Sequence, residues 1–121
     1  MRISNPIAVL GENIASDYLT NKGYKIIERN FRRSYGEIDI ICIKNRVLVF
    51  VEVKTRTSTK YGTPAEAITY SKLKSLIKTA EFYKISNPNL PDLMRIDAIG
   101  VLIDKSNNIK KIEHEENISG Y

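Results

Sequence analysis

Apolar residues recur at Ile7, Leu10, Ile14, Tyr18 and Leu19, the spacing of one face of a helix. Asn5 suits the cap of that helix, Pro6 its first position and Gly23 its stop, so the spacing predicts a helix over about Pro6 to Lys22. Lys25 to Phe31 then predicts a strand centred on Ile26 and Ile27. Glu37 to Ile43 and Val47 to Arg56 are rich in β-branched residues and apolar on both faces, as strands covered on both sides should be. Only Lys44-Asn45-Arg46 lies between them, which predicts a hairpin.

A polar loop follows from Thr57 to Gly62, and Thr63-Pro64-Ala65-Glu66 has the form of a capping box. Helical spacing continues through Ile68, Leu73, Leu76, Ile77, Ala80 and Tyr83, with a break near Thr69. Pro88 and Pro91 mark a loop, Ile96 to Ile103 a buried strand, and Ile109 to Glu115 a weaker edge strand beyond the turn at Ser106-Asn107-Asn108. The order is helix, three strands, helix, one or two strands. That order implies an α/β (α+β) fold, a mixed sheet flanked by helices. Without repeats, low-complexity tracts or a Gly/Ser linker, residues 1–121 are expected to form one domain.

The hairpin violates its own pattern. Strands buried on both faces should be continuously apolar, yet these carry Glu37, Asp39, Glu52 and Lys54. If Asn45-Arg46 is a two-residue turn, Asp39 falls opposite Glu52 and Glu37 opposite Lys54, all four on one face. Facing carboxylates repel, and half-buried they need either raised pKa values or a cation. A hard divalent cation takes oxygen ligands, and magnesium in particular prefers one or two protein carboxylates and keeps waters for a substrate phosphate. Asp39 and Glu52 would then hold the metal, with the backbone carbonyl of Val53. Lys54 would hold or help deprotonate an attacking water and stabilise charge on phosphorus. The structural alternative is a buried salt bridge from Lys54 to Glu37 or Glu52, with Asp39 bonded to backbone or arginine.

Composition adds direction. Nineteen Lys and Arg against fourteen Asp and Glu give a net charge of +5, which favours an anionic partner, nucleic acid first. Lys22, Lys25, Arg29, Arg32 and Arg33 cluster with Glu28 as the only acid among them. Arg29, Arg32 and Arg33 either track a nucleic-acid backbone, with Tyr35 nearby for stacking, or form a solvated basic loop. Arg56 either meets a phosphate or is a solvated strand end. The loop with Lys60 and Tyr61 reads as a lid or as an ordinary exposed loop. The single cysteine, Cys42, excludes an internal disulfide, and one cysteine with one histidine argues against a structural zinc site. Cys42 reads as core, His114 as surface, Asp97 as a structural partner of Arg95, and Glu37 as a partner of Lys54 or Arg56. No apolar run is long enough to span a membrane and the first residues lack a signal-peptide pattern, so a cytoplasmic protein is expected.

Asp39 followed thirteen residues later by Glu52-Val53-Lys54 resembles the signature of the PD-(D/E)XK nuclease superfamily, which includes restriction endonucleases and archaeal Holliday-junction resolvases. Gly11-Glu12, Tyr18-Leu19, Gly23-Tyr24, Arg29-Asn30, Gly36-Glu37-Ile38-Asp39, Val49 to Arg56, Gly62 and Arg95-Ile96-Asp97 together resemble the bacterial YraN-like family, over roughly residues 8 to 103. The resemblance implies a restriction-endonuclease-like core and a site of Asp39, Glu52 and Lys54. It adds Glu12 as a first-helix glutamate reaching the metal and, more weakly, Lys72 turned towards substrate. Ile38 stands where the motif's namesake proline would be, and Ile96 where a phenylalanine is usual.

The expectation is therefore a Mg²⁺-dependent (or Mn²⁺-dependent) endonuclease acting on nucleic acid. DNA is favoured over RNA, branched or single-stranded substrates are candidates, and resolvase-like relatives imply a homodimer. The alternative is a nuclease-fold module that binds nucleic acid or protein without cutting.

Overall fold

A computed structural model describes residues 5–58, 60 and 62–120 of the chain. The elements are α1 (Pro6–Asn21), β1 (Lys25–Arg33), β2 (Gly36–Lys44), β3 (Val47–Arg56), a 3₁₀ turn (Ala65–Ala67), α2 (Tyr70–Ser86), β4 (Leu93–Ile103) and β5 (Ile109–Glu115). The five strands form one mixed sheet in chain order. Only β3 and β4 run parallel; the other neighbours are antiparallel. This α-β-β-β-α-β-β arrangement is the expected α+β fold, compatible with a restriction-endonuclease-like core.

Local signals act where they should. Asn5 Oδ1 accepts the Ile7 N–H at 3.0 Å, and Pro6 opens α1. Thr63 and Glu66 bond reciprocally, each accepting the other's backbone N–H at 3.3 Å. That box starts only the short 3₁₀ turn. Ile68 then goes extended and Thr69 caps α2 afresh, which is the break expected near that residue. The β2–β3 turn is the two-residue Asn45-Arg46, both at positive φ, and it pairs Lys44 with Val47. Strand β4 begins at Leu93 rather than Ile96. Thr59 and Tyr61 of the 57–62 loop, and the first four residues, lie outside the described ones.

Two apolar layers enclose the sheet. Ile40, Cys42, Val49 and Val51 pack beneath α1; Ile41, Leu48 and Phe50 pack beneath α2. Cys42 is a core residue, as expected. Leu10, Ile14, Tyr18 and Leu19 of the predicted stripe pack against the core, but small residues make up most of the fully buried face of α1. That face is Gly11, Ala15, Ser16 and Leu19, while Ile7 is exposed. Small residues let α1 sit close, for a Cβ on Gly11 would lie 1.7 Å from Thr55 Oγ1 on β3. Among the described residues no helix is long and apolar enough to cross a membrane.

Candidate active site

The site lies where β2 and β3 part. Their ladder ends at Ile40 opposite Val51, and Asp39 Oδ2 instead accepts the Val53 N–H at 2.8 Å. The β1–β2 pairing also skips this point: Asn30 has φ +53, and the paired positions on either side are Arg29 with Ile40 and Phe31 with Ile38. Ile38 belongs to the α2 layer and Ile40 to the α1 layer, although they are two residues apart. A strand without irregularity puts such residues on one face. The expectation that Asp39 and Glu52 face each other on one side of a regular hairpin is therefore corrected. Past the Ile40–Val51 pair β2 departs from regular alternation without a change of register: Asp39 lines the cavity beside Glu12 of α1, whereas Glu52 follows Phe50 towards α2.

The carboxylates still meet, across the fork. Glu52 is 5% exposed, and its carboxyl is pushed up to about 8 by burial first and by Asp39 second, with Lys72 and Lys54 opposing. Glu12 is pushed up to about 7 by burial and then by Asp39, against the pull of Arg29 and Arg32. Asp39 is thus the shared neighbour of both glutamates. Close docking at Gly11 carries Glu12 into this position. The Asn30 amide, turned with its nitrogen towards Glu12, donates to both carboxylate oxygens at 3.2 Å.

Lys54 Nζ lies 3.7 Å from Glu52 Oε2, and Lys72 Nζ of α2 lies 3.7 Å from the same oxygen. Both elements of the salt-bridge alternative are thus present beside the carboxylate cluster. Glu37 pairs with Lys72 at 3.9 Å and with Arg32 at 3.5 Å. A cavity of about 680 Å³ opens onto Glu12, Asp39 and Lys54, with Arg29 and Arg32 in its wall. Arg29 Nη2 donates to Asn13 at 2.8 Å, while its buried Nε meets no acceptor.

The other predicted binding residues are distributed elsewhere. Arg33 stacks on Phe31 at 4.3 Å, and Tyr35 packs on Phe82 at 4.7 Å, so neither forms part of the cavity wall. Arg56 lines a second, smaller cavity on the other side of Lys54. Lys60 is exposed and lines neither cavity. Sequence reasoning missed Asn13, the partner of Arg29, and Asn30, the partner of Glu12. Asn30 stands at φ +53, a conformation asparagine tolerates but one that a strand sequence does not announce.

Asp97 is structural, as expected. It is fully buried and accepts from Arg95 Nε at 2.9 Å, His114 Nε2 at 2.8 Å and the Asn117 N–H at 2.9 Å. Those bonds hold its carboxyl below the usual range against the opposing cost of burial, the largest single influence. His114, expected at the surface, is corrected: its side chain is 8% exposed, gripped between Asp97 and the Tyr18 hydroxyl. Its burial follows from β5 pairing with β4, which sets Ile99 against His114 and turns the ring under α1.

Among the described residues no three or more His, Cys, Asp or Glu side chains are gathered as a ready metal cage. The carboxylates meet in pairs, through Asp39. The donors are hard oxygens, and two of the carboxyls are pushed up by burial and by Asp39. That fits a magnesium-like ion, which takes one or two carboxylates and retains water.

Residues 11–101 match the family described as "Uncharacterised protein family UPF0102". The chain is similar to a UPF0102 protein of Syntrophomonas wolfei, 42% identical over 93% of this chain and 96% of that one. It is also similar to one of Alkaliphilus oremlandii, 45% identical over 95% and 98%. Among solved structures, Pyrococcus furiosus SfsA in complex with Ca²⁺ aligns with TM-score 0.42 and 20% identity, over 90% of this chain and 63% of that one.

Proposed function

The chain belongs to the UPF0102 (YraN-like) family, and on the site described above we propose that it is a divalent-metal-dependent nuclease. One observation carries this reading. Glu12 and Glu52 each meet Asp39 in a partly buried place, with Lys54 at 3.7 Å from Glu52, at a break in an otherwise apolar hairpin. Such repulsion is costly for a purely structural device. A hard cation converts it into binding energy.

Asp39 and Glu52, with Glu12 and the Val53 carbonyl, would hold Mg²⁺ or Mn²⁺. The ion would supply a Lewis acid for the scissile phosphate and a more acidic water. The Val53 N–H fixes one Asp39 oxygen and so orients the other. Lys54 supplies a positive charge at the phosphate and a proton donor or acceptor for water. Lys72 neutralises Glu52 and Glu37 from the α2 side, and Arg29 and Arg32 receive the strand in the cavity wall. The substrate on this reading is nucleic acid, DNA before RNA, in the cytoplasm, with branched or single-stranded forms as first candidates and a homodimer as the form that cuts two strands.

The test is cleavage of duplex, single-stranded and branched DNA and RNA with Mg²⁺ or Mn²⁺, beside Asp39→Asn and Lys54→Ala. Metal-dependent cutting lost in both variants is the expected result. Binding of nucleic acid without cutting under every metal and substrate would establish the non-catalytic alternative instead.

A further inference from the structure

Lys54 is a wall of two cavities. Beyond it from the carboxylates, a second space of about 280 Å³ is lined by Arg56, Lys111, Ser58 and Thr63, with Glu113 at its edge. Strand register builds it. Lys54 pairs with Gly100 and Gly100 with Glu113; Arg56 pairs with Leu102 and Leu102 with Lys111. Arg56 and Lys111 therefore stand in one row of the sheet, two strand spacings or about 10 Å apart, facing the same side.

The roof is held in place. Pro64 rests on the bare backbone of Gly100, where a Cβ would lie 2.5 Å from Pro64 Cγ. Glu115 Oε1 accepts the Ala65 N–H at 2.9 Å and ties the loop to β5. The result is a standing recess walled by Lys54, Arg56 and Lys111, in which Lys111 Nζ lies 3.3 Å from Glu113 Oε1 and Lys54 Nζ 3.7 Å from Glu52 Oε2.

We propose that this recess binds a backbone phosphate of the same nucleic-acid strand whose scissile phosphate lies at Asp39 and Lys54. The inference rests on the nuclease reading and adds a path to it. With cations in both cavities and Lys54 between them, the strand passes through the site rather than ending in it. Arg29 and Arg32 hold the strand on one side, and Arg56 and Lys111 on the other. A backbone phosphate fits because the described residues of the recess offer cations and hydroxyls, the groups that contact phosphate oxygens.

The test reads binding, not cutting. The full chain carrying Asp39→Asn is titrated by fluorescence anisotropy against a labelled oligothymidylate of about 20 nucleotides at several salt concentrations, linear and as a covalently closed circle. Adding Arg56→Ala or Lys111→Ala should weaken binding roughly three- to tenfold and reduce the salt slope by about 0.7 for each phosphate no longer neutralised. Adding Lys110→Ala, at the neighbouring position on the same strand, should leave the slope unchanged. The circle should bind as tightly as the linear strand. An unchanged slope in both the Arg56 and Lys111 variants overturns the subsite, and tenfold weaker binding of the circle overturns the through-going path. Because no cleavage is read, a failure of the nuclease reading in the cutting assay remains a separate result.

Discussion

Asp39 Oδ2 accepts the Val53 N–H at 2.8 Å, one residue beyond the last regular β2–β3 pair. This bond fixes the acid at the fork of two strands, within reach of Glu12 on one layer and Glu52 on the other. Asp39→Asn keeps an acceptor for Val53 but removes the charge that adds to burial in raising both glutamates. We predict a metal-free protein at least as thermally stable as wild type above neutral pH. Mn²⁺ affinity should fall by more than the roughly 10–100-fold typical of a residue outside the ligand set. Calorimetry and thermal melts check both; undiminished Mn²⁺ affinity would remove Asp39 from the site.

The two raised carboxyls make stability depend on pH in an unusual direction. Glu12 at about 7 and Glu52 at about 8 bind protons more tightly folded than unfolded, where 4.5 is ordinary. Their contribution is complete below about 4.5 and is lost as pH rises through about 7 and then 8. The metal-free melting temperature should therefore fall between about pH 5 and pH 9, and the stabilisation by Mg²⁺ should grow over that range. Asp97 acts oppositely: its lowered carboxyl supports the fold above its unfolded value of 3.8 and loses that support as pH falls through the lower folded value. Melts across pH with and without Mg²⁺ decide it. A flat profile in Glu12→Gln/Glu52→Gln with a sloped wild type is the expected pair.

Gly11 sets how closely α1 approaches β3. Gly11→Ala places a methyl within 1.7 Å of Thr55 Oγ1, so helix or strand must shift. A loss of roughly 1–3 kcal/mol is expected from denaturant melts. Thr55→Ala in the same chain should recover most of it. Additive losses in that double variant would show that the close approach is not the cause.

Asp97→Ala leaves Arg95, His114 and the Asn117 N–H without their shared acceptor. A cost of about 3 kcal/mol is expected, as for breaking a buried charge pair. Mn²⁺ affinity should stay within about twofold of wild type, because none of these groups lines the cavity at Asp39. A selective loss of metal binding in a stably folded Asp97 variant would contradict the structural role.

Much of this molecule was legible from local chemistry. Asn5, Pro6 and Gly23 bounded α1, the Asn45-Arg46 turn set the hairpin register, and the capping box at Thr63 formed. These rest on interactions within a few residues, so neighbouring side chains suffice to specify them. The same holds for recognising Glu37, Asp39, Glu52 and Lys54 as misplaced in apolar strands.

The sequence by itself thus determined the order of elements, the parity of the hairpin near its turn, and which charged residues break the apolar pattern. Only the tertiary structure decided that the β2–β3 ladder ends at Ile40 and Val51, leaving Asp39 beside Glu12 of α1. Small residues on α1 bring Glu12 in, His114 goes under α1, and Lys111 joins Arg56 across two strands. The reason is physical. The end of a strand ladder, a helix approach distance and a cross-sheet row depend on packing between segments far apart in the chain, and hydrophobic periodicity records only which residues are buried, not which partners they meet.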